Sequence, residues 1–210
     1  MQAKKSTSAV KSLNHFFLLA FSVGLLCLLG LLLFSQHKKE LPVLGEPGHR
    51  VGEFEFLDQD GHIFSEKDVR GRIRISEFFF TTCKSICPIM NGNLQEVQSA
   101  FKDRNDVIIL SHTVDPQKDD TARLRQYAKQ VEAIAGKWEF LTGSKKALYK
   151  MAKQDYLLGV DSAADENLET AFIHTQYISL VDKEDRIRGF YDATDKKEIE
   201  KLIADIKNLY

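Results

Sequence analysis

The sequence predicts an α/β domain with a mixed sheet, carried behind a single membrane-spanning helix. Three observations point there. Apolar strand-like runs alternate with segments of helical periodicity from residue 51 onward. Hairpin patterns stand at both ends of that region. A charge-free stretch of nineteen residues, Phe16–Phe34, precedes it.

At about 1.5 Å per residue, Phe16–Phe34 reaches about 28 Å, close to the hydrocarbon thickness of a bilayer. It is too long for the apolar core of a cleaved signal, and Ser35-Gln-His-Lys38 offers no small-x-small cleavage site. The organisation read from this is a tail at 1–15, an anchor at 16–34, a linker at 35–50 and a domain at 51–210. The linker holds Pro42, Gly45, Pro47 and Gly48. Lys4, Lys5 and Lys11 before the span favour a cytoplasmic N-terminus and an exported domain. A lysine-only N-terminus without arginine enrichment leans toward a bacterial inner membrane and periplasm; the alternative is a mitochondrial inner membrane facing the intermembrane space.

Within the domain, Phe54-Glu-Phe56 and His62-Ile-Phe64 flank Asp58-Gln-Asp-Gly61 and predict a hairpin with an Asp-Gly turn. Ile73–Phe80 is a buried strand. Met90, Leu94, Val97 and Phe101 mark a helix after Pro88. Val107–Val114 is a second apolar strand, ended by Asp115-Pro116. Asp119–Val131 and Lys145–Tyr156 are helices on either side of the short strand Trp138–Leu141. Tyr177–Val181 and Arg186–Phe190 form the second hairpin. Lys196–Leu209 closes the chain as a helix, with Ile199, Leu202, Ile203 and Ile206 on one face.

The chain of 210 residues carries a net charge of −1. Residues 1–37 hold three lysines as their only formal charges, which leaves −4 for residues 38–210. That balance argues against nucleic-acid binding. Of the three cysteines, Cys27 lies in the apolar span, where Leu26 before it does not suit a lipid-attachment site. The other two stand close together, in Cys83-Lys-Ser-Ile-Cys87-Pro88. A structural disulfide framework would use more cysteines at wider spacing, so one close pair in an exported domain reads as a working pair.

The pair falls where a strand hands over to a helix. Free backbone N–H groups and the helix dipole favour a thiolate there. Pro88 belongs in a first helical turn and pushes Cys87 toward an extended conformation, so the cysteines occupy the loop and the first turn. Two thiolates there can close a small disulfide or grip a soft ion such as Cu(I) or Zn(II). The bland alternative is two small buried hydrophobes. Histidine is the commonest further ligand, and His49, His62, His112 and His174 are the candidates. His49 and His62 lie near turns and read as solvated. His112 shares a strand face with Ile108, Leu110 and Val114 and reads as a hydrogen-bonded core residue. His174 stands just before the strand Tyr177–Val181. Asp115, before Pro116, reads by itself as a turn or cap residue.

Three motifs in order, Thr82-Cys83-x-x-x-Cys87-Pro88, Thr113-Val-Asp115-Pro116 and His174-Thr175 followed by Tyr177-Ile-Ser-Leu180-Val-Asp182, resemble the Sco/SenC family over residues 43–210. The family comprises membrane-anchored, thioredoxin-like copper proteins that help assemble the CuA centre of cytochrome c oxidase. The resemblance implies a thioredoxin-like fold, copper as Cu(I) or Cu(II), and Cys83, Cys87 and His174 as its ligands. It places Asp115 beside that site as a supporting residue. Its implied partners are the oxidase subunit that carries CuA and a copper donor protein. Many members have Pro-Asp where this chain has Lys84-Ser85, and Ser where it has Thr175. Lys84 puts a cation beside the thiolates and favours their ionised form.

The favoured function is therefore copper delivery, in which no substrate is turned over. The alternative is a thiol–disulfide oxidoreductase in which Cys83 and Cys87 are the redox pair. Against a general thioredoxin, the spacing is Cys-x-x-x-Cys. Thioredoxin-like oxidoreductases also keep a cis-proline facing the cysteines, and no proline follows Pro116.

Overall fold

A computed structural model describes residues 19–25, 40–158 and 175–210. Residues 19–25 are helical; the rest of the predicted span lies outside the described residues, as does His174. No helix among the described residues is long and apolar enough to cross a membrane. The chain divides into two units, residues 1–40 and Leu41–Tyr210.

The second unit is built on a five-stranded mixed sheet. Its strands are β3 (Ile73–Phe79), β4 (Val107–Thr113), β5 (Trp138–Leu141), β6 (Tyr177–Val181) and β7 (Ile187–Asp192), in the order β5-β4-β3-β6-β7. Strands β3, β4 and β5 run parallel, and their connections carry the helices α1 (Cys87–Ala100) and α2 (Thr121–Gln130). Strand β6 is antiparallel to both β3 and β7. All seven residues of β3 and all seven of β4 are buried, as both faces of the sheet are covered.

Alternation along β3 divides the core in two. Ile73, Ile75 and Phe79 face α1, α2 and the C-terminal helix α4 (Lys196–Asn208), through Leu94, Val97, Leu124, Ile199, Leu202 and Ile206. Phe78, with Ile108 and Leu110 of β4, faces the hairpin β1–β2 (Glu55–Leu57, Ile63–Ser65) and helix α3 (Lys145–Lys150). The hairpin turn places Gly61 at φ +84°, a conformation a Cβ would strain. Asp58 holds that turn by accepting from the backbone N–H of Asp60 and His62.

Two elements differ in detail from the sequence expectation. The helix read over Lys145–Tyr156 is α-helical only to Lys150 and then widens into a π-helical turn, Met151–Asp155. The segment read as linker is partly built into the second unit from Leu41 onward. Leu41 is buried, Leu44 donates its N–H to Ile187 O at 2.9 Å, and Arg188 Nε donates to Pro42 O at 2.9 Å. His49, expected to be solvated, is half-buried, with Nε2 2.9 Å from Asp155 O. His62 is exposed beside Asp58, as expected.

Candidate metal centre

Both cysteines lie on the face of the sheet that carries α1. The chain leaves β3 at Phe79, turns with Cys83 N–H donating to Phe80 O at 3.1 Å, and enters α1 at Cys87. Pro88 sits in the first turn, where a missing N–H costs nothing. The residue before the helix, Ile86, supplies no side-chain cap. The first N–H groups of α1 are thus left for another acceptor, and Cys83 takes that place. Its sulfur receives the backbone N–H of Cys87 and of Ser85 and the thiol of Cys87, with Ser85 Oγ 3.6 Å away.

This arrangement splits the two thiols. Burial works to raise the Cys83 thiol, but the hydrogen bonds from Cys87 and Ser85 outweigh it and bring it to about 6. Burial, then donation to Cys83, pushes Cys87 well above the ordinary thiol range. The source of the Cys83 shift is therefore the helix start and its neighbours; Lys84, expected to supply it, points to solvent. Both cysteines are buried free thiols.

Topology brings Asp115, and the start of the strand that follows His174 in sequence, toward the same end of the sheet. Strands β3 and β4 are parallel, and Val114 N–H donates to Phe79 O at 2.8 Å, so Asp115 follows β4 on the edge where the cysteine loop follows β3. The Asp115 carboxylate pairs with Lys118 at 2.9 Å, and its carbonyl accepts from the N–H of Lys118 and Asp119. Strand β6 starts at that edge, since it runs antiparallel to β3 with Ser76 opposite Ser179. Thr175, the first described residue after His174, is half-buried, and its Oγ1 accepts the N–H of Tyr177 at 3.1 Å. Among the described residues, no third His, Cys, Asp or Glu joins the two cysteines in a metal-sized cluster.

His112 is the buried core residue that its strand position predicts. Its ring stacks on Phe78 with centroids 5.0 Å apart, and Nδ1 lies 3.4 Å from Glu77 O. Burial lowers its pKa to about 3, so it is neutral.

Three residues near the site were not singled out from the sequence. Asp119 is buried and accepts the N–H of Thr81 at 3.1 Å and the Thr113 hydroxyl at 2.6 Å. Glu77 is buried on the cysteine side of β3, accepting a hydrogen bond from Ser111, whose oxygen accepts Trp138 Nε1–H at 2.7 Å. Burial raises the Glu77 carboxyl to about 7, and its charge in turn raises Cys87. Tyr127 of α2 accepts from Asn91 of α1 at 2.5 Å and feels Glu77 and both cysteines. The available signals were a second Asp four residues after Asp115 and one acidic residue inside an apolar strand.

The sequence profile of the SCO1/SenC family matches residues 44–210. A SCO1 protein homolog of Bacillus subtilis is 28% identical over 162 residues, covering 76% of this chain and 82% of that one. A protein of Stutzerimonas stutzeri named for copper binding is 27% identical, covering 66% of this chain and 67% of that one. The solved structure of BsSco superposes with a TM-score of 0.65 at 27% identity, covering 80% of this chain and 96% of that one. BsSco is described as a member of the Sco family of cytochrome c oxidase assembly proteins with a disulfide switch. With the strand–cysteine loop–helix unit in place on a thioredoxin-like sheet, and the profile matched over most of its length, the chain belongs to the SCO1/SenC family.

Proposed function

We propose that this protein binds copper through Cys83 and Cys87 and serves cytochrome c oxidase assembly, delivering the metal to the subunit that carries CuA. The observation that carries the reading is the Cys83–Cys87 pair at the start of α1, where the Cys83 sulfur accepts the Cys87 N–H and hydrogen bonds lower its thiol to about 6. Two sulfurs on a short turn suit soft Cu(I). Loading replaces the Cys87 thiol proton by the metal, so one proton leaves per ion bound near pH 7. His174 is the third ligand in this reading. The strand it precedes begins at the edge where the cysteine loop lies, which supports the assignment. Asp115 supports the site from the end of β4. The reading also takes Phe16–Phe34 as a single-pass anchor, with the domain on the outer face of the inner membrane and copper received from a donor protein.

The uneven pair also favours thiol–disulfide chemistry. Cys83 is the nucleophile of such a pair and Cys87 the resolving thiol. In the copper reading an external two-electron oxidant, such as a partner disulfide that leaves as two thiols, closes the same pair into a reversible disulfide in the metal-free protein. Titration of the full chain with Cu(I) against a chromophoric chelator tests the proposal. Wild type should bind one Cu(I), and Cys83→Ser or Cys87→Ser should lose at least tenfold in affinity. Equal affinity in wild type and both variants would overturn it.

A further inference from the structure

The small net charge of the second unit hides a polarity along its sheet. Strands β3, β4 and β5 all start at the end opposite the cysteines, where the turn between β6 and β7 also lies. The turns there, 70–72, 101–106, 131–137 and 182–186, with residues 207–210 at the end of α4, hold eight Lys and Arg against six Asp and Glu. The turns of the cysteine end, 80–86, 114–120, 142–144, 175–176 and 192–195, hold two against five. Side chains tie the first group into one surface. Arg72 Nη2 donates to Gly136 O at 2.7 Å, Lys137 Nζ donates to Asn105 Oδ1 at 2.9 Å, and Lys183 Nζ and Arg104 Nη2 each reach Asp106 Oδ2 at 2.7 Å. Arg70 and Lys102 stand exposed on it. So do the apolar side chains of Ile134 and Tyr210, the latter with Arg104 Cζ 3.6 Å from its ring centroid. The chain also enters the second unit at this end. Leu44 bonds Ile187, the first residue of β7, Arg188 holds Pro42 O, and Val43 between them is exposed.

We propose that this end of the second unit lies against an anionic lipid surface, with headgroups at Arg70, Lys102, Lys137 and Lys183 and with Ile134 and Tyr210 at the headgroup boundary. The proposal rests on the reading of Phe16–Phe34 as a membrane anchor. In that reading six residues lead from the anchor to Leu41, a reach of at most about 25 Å. The tether holds the entry end near the bilayer, and the charge polarity decides which face turns toward it. An excess of two cations attracts only weakly, but a tethered domain is already at high local concentration, so weak attraction is enough to orient it. Aromatic and basic side chains together suit the boundary between headgroups and water. The acidic turns around the cysteines are repelled by the same surface. Seven residues of β3, at about 3.3 Å each, then hold the cysteine loop about 20 Å farther from the lipid, facing outward.

The test is amide hydrogen exchange of the full chain reconstituted in vesicles of phosphatidylcholine, alone or mixed with phosphatidylglycerol. Retention on the neutral vesicles through a high-salt wash reads the anchor by itself. The expected result is exchange slowed about threefold or more at 101–106 and 131–137 on the mixed vesicles only, reversed at about 0.5 M salt, with 80–86 unchanged. Arg70→Glu with Lys102→Glu should abolish the slowing. Lys196→Glu with Lys197→Glu, the same charge change at the cysteine end, should keep it. Slowing at 80–86 instead, equal exchange on both vesicle types, or equal loss in the two double variants would each overturn the assignment. A chain washed off the neutral vesicles overturns the anchor reading; the same exchange pattern, read on chain added to mixed vesicles, then decides the surface alone.

Discussion

The buried carboxylate of Asp119 accepts the backbone N–H of Thr81 at 3.1 Å, two residues before Cys83. The same carboxylate accepts the Thr113 hydroxyl at 2.6 Å, so one side chain joins the loop after β3 to the end of β4. Asp119→Ala leaves these two donors, and the Thr81 hydroxyl that also donates to the carboxylate, without this acceptor. The expected loss is about 2–3 kcal/mol of stability by urea unfolding, together with weaker Cu(I) binding. Asp120→Ala is the control. It removes only the cap that Asp120 gives to Arg123 N–H at the start of α2, costs about 1 kcal/mol and leaves copper binding unchanged. Equal copper affinity in the two variants would separate the Asp119 tether from the site.

Glu77 makes stability depend on pH in the unusual direction. Burial raises its carboxyl from 4.5 to about 7, so between those values the folded state holds a proton that the unfolded state has lost. Stability therefore falls as pH rises through that window, by at most about 3 kcal/mol. Gln in its place keeps the acceptor for Ser111 and cannot ionise. Glu77→Gln should match wild type near pH 4.5 and exceed it increasingly up to pH 8. A parallel pair of stability–pH curves would show that the carboxyl is not the source.

Cys83 and Cys87 should react at different pH. Alkylation of reduced, metal-free protein should label Cys83 with a rate half-maximal near pH 6, while Cys87 stays nearly silent to pH 9. Cys87→Ala removes the thiol donor and should move the Cys83 midpoint upward, toward the ordinary 9.0. The linkage has the opposite sign to that of Glu77. A thiol held below its unfolded value favours the folded state above the unfolded pKa, so its contribution grows from about pH 6 to 9 and is lost as pH falls through 6. A single common labelling midpoint for both thiols would contradict the capping geometry.

The order of elements was legible because period and punctuation agree along most of the chain. Ile73–Phe79 and Val107–Thr113 are continuous apolar runs because their sheet is covered on both faces. The cysteine loop was legible from Pro88, whose missing N–H fixes the start of α1. The side chains that tune the site were not. Asp119 reads as a helix start and Glu77 as a stray charge, because their partners Thr81, Thr113 and Ser111 are brought in by neighbouring segments through tertiary pairing. The wide turn after Lys150 has no local marker either; Tyr156 N–H reaches Met151 O because packing of Tyr156 into the core decides it.

His174 separates copper delivery from thiol chemistry. It precedes β6, which starts at the sheet edge where Cys83 leaves β3, and two histidines among the described residues are engaged elsewhere. His112 is neutral but buried on the opposite face among Phe78 and Tyr156, and His49 is engaged with Asp155. Two thiolates hold Cu(I) two-coordinately, so His174→Ala should keep part of its Cu(I) affinity. Cu(II) needs a nitrogen donor and more ligands, so its binding should collapse with the variant. Dithiol oxidation needs only the sulfurs and should proceed at the wild-type rate. Cytochrome oxidase activity in cells then decides, with Cys83→Ser as the variant that breaks both chemistries. Copper delivery predicts loss of activity in both variants, although the His174→Ala cysteines still cycle. Full activity in His174→Ala with none in Cys83→Ser would instead assign the cysteine pair to reduction of a partner.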